Sequence, residues 1–217
     1  MKNDEYDLAI VDPPYYSGPE KRKYYGNKVS PIGVKRRDYK HNKSWQIPDE
    51  KYFDQLFRIS KNQIIWGCNY FNYRFPGGRI IWDKVNDKSF FSDCEIAFNS
   101  LNNRVDLIRY MWNGMFQGQK ITTDISESKI QKGNKSLNEI RIHPTQNPVP
   151  IYKWILEKYA EKGFKILDTH GGSMSIAIAC YDLGFDLDIY EIDKEHFDNA
   201  VKRFEIYKSQ LKINFNS

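Results

Sequence analysis

The chain has 217 residues, 40% of them apolar and 28% charged, with a formal net charge of +5. That balance argues against an intrinsically disordered chain, and no apolar run approaches the ~20 residues that a membrane-spanning helix needs. The length suits one domain with a sizeable core, so residues 1–217 are expected to fold as a single unit.

The N-terminus, Met1-Lys2-Asn3-Asp4-Glu5, lacks the apolar centre of a signal peptide. Cys68, Cys94 and Cys180 are odd in number, widely spaced and in no zinc or redox pattern. They predict reduced thiols in a cytoplasmic protein without a metal.

Leu8, Ala9, Ile10 and Val11 form the first apolar run and predict a buried strand. Asp12 follows at its carboxyl end, and Pro13 and Pro14 stop the strand with a stiff turn. Tyr15 and Tyr16 come next. Taken alone, Asp-Pro-Pro reads as a strand and a proline turn, with Tyr15 packed in the core. The segment 17–45 has no apolar periodicity. It carries nine Lys or Arg against two acids, a local +7, with Tyr24, Tyr25, Tyr39 and Trp45 interleaved. Such a run is ordinarily a solvated loop. Leaving directly from Tyr16, it also suits a nucleic acid, with cations on phosphates and rings on unpaired bases.

A helix is predicted over Pro48–Ser60, then strands at Gln63–Trp66, Arg79–Trp82, Cys94–Phe98 and Asp106–Trp112. Short links between the last three predict a partly antiparallel sheet. Gly114–Arg141 again lacks periodicity and reads as irregular; 114–142 is a second candidate nucleic-acid segment. Pro148 is predicted as the first residue of a helix that Gly163 ends. A strand at Lys165–Asp168, a turn at Thr169–Met174, a helix over Ser175–Leu183 closed by Gly184 and a strand at Leu187–Glu191 complete a dinucleotide-type unit. In that unit glycine lets the backbone approach a ligand, and the acid about 20 residues on takes ribose hydroxyls. A final helix is expected to bury Phe197, Ala200, Val201, Phe204 and Leu211. Seven strands, at Leu8, Ile64, Ile80, Ile96, Leu107, Ile166 and Ile189, make an α/β fold with a mostly parallel sheet flanked by helices.

Asp12-Pro13-Pro14-Tyr15 after an apolar strand resembles the catalytic motif of the DNA amino-methyltransferases. The later glycine unit, with His143-Pro144-Thr145-Gln146 and Pro148 leading into it, is similar to their cofactor motif. The order, catalytic motif first, resembles the family's β arrangement, and the resemblance is to short methylases of phage and prophage origin; it suggests restriction–modification, with a paired restriction enzyme left open. The resemblance covers residues 7–16 and 143–205 well and the middle loosely.

It implies a Rossmann-like methyltransferase fold, S-adenosylmethionine as cofactor and double-stranded DNA as partner, with methylation at N6 of adenine by base flipping and direct transfer. No metal and no membrane are implied, and homodimerisation stays open. Asp12, Pro13, Pro14 and Tyr15 would hold the target base, with Asp12 and the Pro13 carbonyl accepting its amino hydrogens. Asp12, Thr145, Asp168, Thr169, His170, Gly171, Gly172, Ser173, Glu191 and Ile192 would line the cofactor. Lys21, Arg22, Lys23, Lys35, Arg36, Arg37 and Trp45 would contact DNA. Met174 stands where the family's turn has glycine, which predicts crowding of the cofactor, and Asn147 replaces a usual lysine. Alternatives are N4-methylation of cytosine, whose enzymes more often carry Ser at position 12, an RNA substrate, or a silent module that binds nucleic acid and S-adenosylmethionine.

Overall fold

The computed structural model describes residues 1–15, 46–85, 92–113, 116–119 and 138–210. Alternation along the first strand sets the architecture. β1 (Tyr6–Val11) points Leu8 and Ile10 to one face and Ala9 and Val11 to the other, all buried. A strand apolar on both faces belongs inside a sheet covered on both sides, and β1 lies there.

The other strands are β2 (Ser60–Trp66), β3 (Gly78–Asp83), β4 (Cys94–Asn99), β5 (Val105–Asn113), β6 (Phe116–Gln119), β7 (Lys165–Asp168) and β8 (Asp186–Ile189). They form one sheet in the order β6-β5-β3-β4-β2-β1-β7-β8. β1 pairs in parallel with β2 and β7, as do β3 with β5 and β7 with β8. β4 runs antiparallel to β2 and β3, and β6 to β5. The predicted mixed sheet is therefore present, with eight described strands instead of seven. The added strand, β6, falls in the stretch read as irregular. Its sequence, Phe-Gln-Gly-Gln, has one apolar residue, and an edge strand needs little apolar pattern.

Helix α1 (Glu50–Ile59) is capped by Asp49, whose side chain accepts from the Tyr52 N–H, and it buries Phe53, Leu56 and Ile59. These pack with Val11, Ile65, Phe75 and Phe98 on one face of the sheet. On the other face α2 (Val149–Tyr159) and α3 (Ser175–Leu183) cover Leu8, Ile10, Ile64, Trp66 and Ile166. Each such fully buried side chain contributes about 1.5–3 kcal/mol of hydrophobic stabilisation.

Pro148 is the cap of α2, not its first residue; Pro150 occupies the first turn, where its missing N–H costs nothing. The helix stops at Tyr159, and Gly163 (φ +91°) belongs to the turn beyond. β8 ends at Ile189, two residues short of Glu191. Helix α4 (Lys194–Ser209) buries only Ala200. Phe197 is exposed and Val201 and Phe204 are half-buried, because α4 flanks the sheet's edge and has little surface to cover; Leu211 lies outside the described residues.

After β1 the chain moves to β2 and outward, and it returns on the far side of β1 as β7. The strand order reverses between β1 and β7, and ligands of open α/β sheets bind outside the carboxyl ends at such a switch point. Asp12 follows β1 there, and Asp168 ends β7.

Candidate active site

Asp12 continues the Leu8–Ile10 face and so points to the side covered by α2. Asn147, at the foot of that helix, donates its side-chain N–H to Asp12 Oδ2 at 2.8 Å. Asp12 Oδ1 is enclosed and accepts from no donor among the described residues. Burial, reinforced by the carboxylates of Glu95 and Asp168, holds Asp12 well above the usual carboxylate range, against the Asn147 hydrogen bond and the charge of Lys84. Tyr152, on α2, sits in the same enclosure, within hydrogen-bonding reach of Asn147 and close to Asp12.

Pro13 is buried and Pro14 half-buried, which fixes the direction of the chain. Tyr15 then lies face to face with Tyr70, centroids 4.8 Å apart and planes at 6°, with the edge of Phe71 at 6.4 Å. The ring rests on Gly67, which has φ +68° just past β2. A Cβ at Gly67 would fall 2.3 Å from the Tyr15 ring, so only glycine permits this approach.

Asp168 is buried, with Oδ1 accepting from the His170 N–H at 2.9 Å. Burial pushes its carboxyl up to about 7, with Glu191 adding to the shift and the His170 N–H opposing it. The turn is cross-tied: Gly171 N–H donates to the Tyr190 carbonyl at 2.7 Å, and Met174 N–H to the Gly171 carbonyl at 2.7 Å. Gly171 packs on β8, where a Cβ would meet Ile189 at 2.9 Å. Glu191 reaches back across the turn. Its Oε2 accepts from Gly172 N–H and its Oε1 from Asp193 N–H, both at 2.8 Å. Ile192 beside it is 84% exposed.

The remaining predicted residues brace this turn. The Thr169 hydroxyl hydrogen-bonds with Tyr52 Oη at 2.7 Å and with His170 Nδ1 at 3.0 Å. Burial pushes His170 down to about 4, so it is neutral at physiological pH. Thr145 donates its N–H to His143 Nδ1 at 3.3 Å, and His143 Nε2 lies 3.2 Å from His196 on α4. Burial, with His196 adding to it, pushes His143 down to about 3. The Ser173 and Ser175 hydroxyls are 3.0 Å apart, and Arg203 donates to the Ser173 carbonyl at 2.7 Å.

Met174 has φ +55°, the left-handed region that a glycine enters without strain, which accounts for the residue expected there. Its side chain turns into a cluster with Ala177, Ala200 and the partly buried Leu187 and Ile189. The geometry thus carries the methionine into the core beneath the turn, not over it as the crowding expectation had it.

Asp12 to Tyr15, the 168–173 turn, Glu191 and Thr145 thus gather at one sheet edge. Lys21, Arg22, Lys23, Lys35, Arg36, Arg37 and Trp45 lie outside the described residues. Sequence reading left the role of Glu95 open, did not find Lys84, Tyr152 or the Gly67–Tyr70 support, and noted Asn147 only as a departure. The available signal was the Trp66-Gly67-Cys68-Asn69-Tyr70 run, where a glycine and a ring directly follow a strand. Among the described residues no helix is long and apolar enough to cross a membrane, and no group of three or more His, Cys, Asp or Glu could hold a metal ion.

The N6/N4 methylase family model, described as DNA methylase, matches residues 6–202. No curated protein matches the chain. Solved structures do. The M1.HpyAVI–SAM complex is 18% identical, over 92% of this chain and 89% of that one, with a TM-score of 0.49. TTHA0409 from Thermus thermophilus, complexed with S-adenosyl-L-methionine, is 15% identical, over 97% and 90%, at 0.49. The PvuII DNA methyltransferase, cytosine-N4-specific, is 12% identical, over 100% and 83%, at 0.51. At such identities the likeness is one of fold.

Proposed function

The chain belongs to the N6/N4 DNA methylase family, and from that premise we propose that it transfers a methyl group from S-adenosylmethionine to the exocyclic N6 amino group of adenine in double-stranded DNA. The observation that carries this reading is Asp12: one oxygen is fixed by Asn147, the other is enclosed without a donor among the described residues, and both stand at the switch point beside the glycine turn. An aspartate at this position, where cytosine enzymes of the family more often have serine, supports adenine.

The turn fits the cofactor. Gly172 has no side chain and φ +48°, so the backbone is open to close approach. Each Glu191 oxygen accepts one backbone N–H and keeps a lone pair for a ribose hydroxyl. Exposed Ile192 offers an apolar surface to a purine ring. When bound, the cofactor supplies an electrophilic methyl group on a positively charged sulfur.

The chain's own residues prepare the nucleophile. The adenine amino nitrogen is a weak one because its lone pair is delocalised into the ring. Asp12 Oδ1 and the Pro13 carbonyl accept its two hydrogens and localise that lone pair, an interaction that strengthens towards the transition state. Asn147 keeps the carboxylate from rotating. Tyr15, held flat by Tyr70 and Gly67, stacks on the base once it is flipped from the duplex. Segments 17–45 and 114–142 are the proposed DNA contacts, from their charge.

Product analysis with labelled methyl donor tests the reaction. Label is expected in N6-methyladenine of DNA; label in methylcytosine, in RNA alone or nowhere overturns the proposal. Gly67→Ala tests the aromatic platform. The new methyl would displace the Tyr15 ring, and a misplacement of about 1 Å near the reacting atoms can cost on the order of 10²-fold in rate. Methyl transfer should fall by about that much while cofactor affinity holds, since the turn lies across β1 and β7. Unchanged turnover would take Tyr15 out of the base site.

A further inference from the structure

Two charged side chains share the edge and face of Asp12 and have no part in the chemistry above: Glu95 and Lys84. The sheet register puts them in line. Val11 pairs with Ile65 and Ile65 with Phe98, so Asp12, Trp66, Ala97 and Glu95 follow on the α2-covered face at the same edge. Glu95 pairs with Trp82 of β3, and Lys84 lies two residues further on the same side. Lys84 Nζ forms an ion pair with the Glu95 carboxylate, and both side chains are only 19% exposed. The ammonium also sits 4.8 Å above the Trp82 ring, which limits where it can go.

We propose that Lys84 and Glu95 are positioning residues of the transfer site, a charge-setting pair that acts through Asp12 across β2 and does not touch the base. The inference rests on Asp12 being the acceptor for the amino hydrogens. In the reaction the nitrogen lone pair forms the bond to the methyl carbon. The carbon–sulfur bond breaks with its pair going to sulfur, and the nitrogen sheds a proton. Asp12 therefore has to accept hydrogen bonds as a carboxylate and then favour holding a proton. Glu95, a like charge in a poorly solvated region, strengthens that proton's hold; Lys84 weakens it. The other described groups facing Asp12 are Asp168 from β7, which acts in the direction of Glu95, the Asn147 amide, which acts with Lys84, and the Tyr152 hydroxyl from α2. Among the described residues it is the Lys84–Glu95 pair that brings both signs to bear from neighbouring strand ends away from the cofactor turn.

The signs make the test. Activity needs ionised Asp12, so the rate falls as pH drops through its titration. Glu95→Gln removes a charge that favours the proton, and both the acid limb of the single-turnover rate and the Asp12 titration should move to lower pH. Lys84→Met removes an opposing charge, and both should move to higher pH. Glu95→Asp, which keeps the charge, should stay close to wild type and guards against a variant that merely fails to fold. Carboxyl-carbon NMR of Asp12, assigned with Asp12→Asn, reads the titration without any turnover. A simple tie between strand ends predicts lower melting temperatures in Glu95→Gln and Lys84→Met and no opposed movement; that result, or an unmoved Asp12, overturns the pair. Should the wild type not methylate DNA, the substrate reading fails, and the NMR titration still decides the coupling.

Discussion

Asp12→Ala should lower the methyl-transfer rate by a factor on the order of 10²–10⁴, the range for losing a positioned proton acceptor, while cofactor affinity changes little. The reason is local. Among the described residues Asp12 Oδ1 has no donor, so its loss removes none of their hydrogen bonds on that side. Asn147 does lose its partner, and an unsatisfied buried amide costs about 1–3 kcal/mol of stability. Thermal melts must accompany the kinetics. A modest drop in melting temperature with a collapse in rate fits an acceptor role. A collapse of both with rate and stability falling in proportion would make Asp12 a structural residue. Asp12→Asn should lie between, since an amide carbonyl still accepts but cannot take up a proton.

Glu191→Ala should weaken S-adenosylmethionine binding by roughly 1–3 kcal/mol, or about 5- to 150-fold, from lost charge-assisted hydrogen bonds. The carboxylate spans the turn: it accepts from Gly172 N–H on one side and Asp193 N–H on the other. Its removal strips the ribose acceptor and frees both amides, so the turn should also loosen. The rate at saturating cofactor should recover most of its value, which separates this variant from Asp12→Ala. Equal affinities for wild type and mutant by calorimetry would take Glu191 out of the cofactor site.

What the sequence makes legible is what lies close along the chain. Asp12-Pro13-Pro14-Tyr15 ends one apolar run, and Asp168 to Glu191 spans one strand, turn, helix and strand, so pattern and spacing carry both. Lys84 and Glu95 escape such reading because they meet only through the antiparallel register of β3 and β4. Gly67 acquires its meaning from a ring 52 positions away along the chain, Tyr15. β6 has almost no apolar signal because an edge strand can be built from backbone hydrogen bonds alone. The last helix shows the opposite failure. Its apolar spacing is regular, yet burial depends on how much surface its neighbours offer, and here only Ala200 finds full cover.

Arg203 has a consequence for dissecting the protein. Its guanidinium holds the Ser173 carbonyl and the Ser175 hydroxyl, and its other arm grips Glu139, which in turn accepts the first N–H of α2 through Val149. The C-terminal helix is thus a clasp between the cofactor turn and the helix that carries Asn147 to Asp12. A fragment trimmed just before residue 203 would retain every group assigned to binding or transfer and the β1–β7 pairing, yet lose the bridge from the cofactor turn to the start of α2. A fragment kept through residue 203 is therefore expected to hold its melting temperature better than one cut just before it, although both contain the same chemistry.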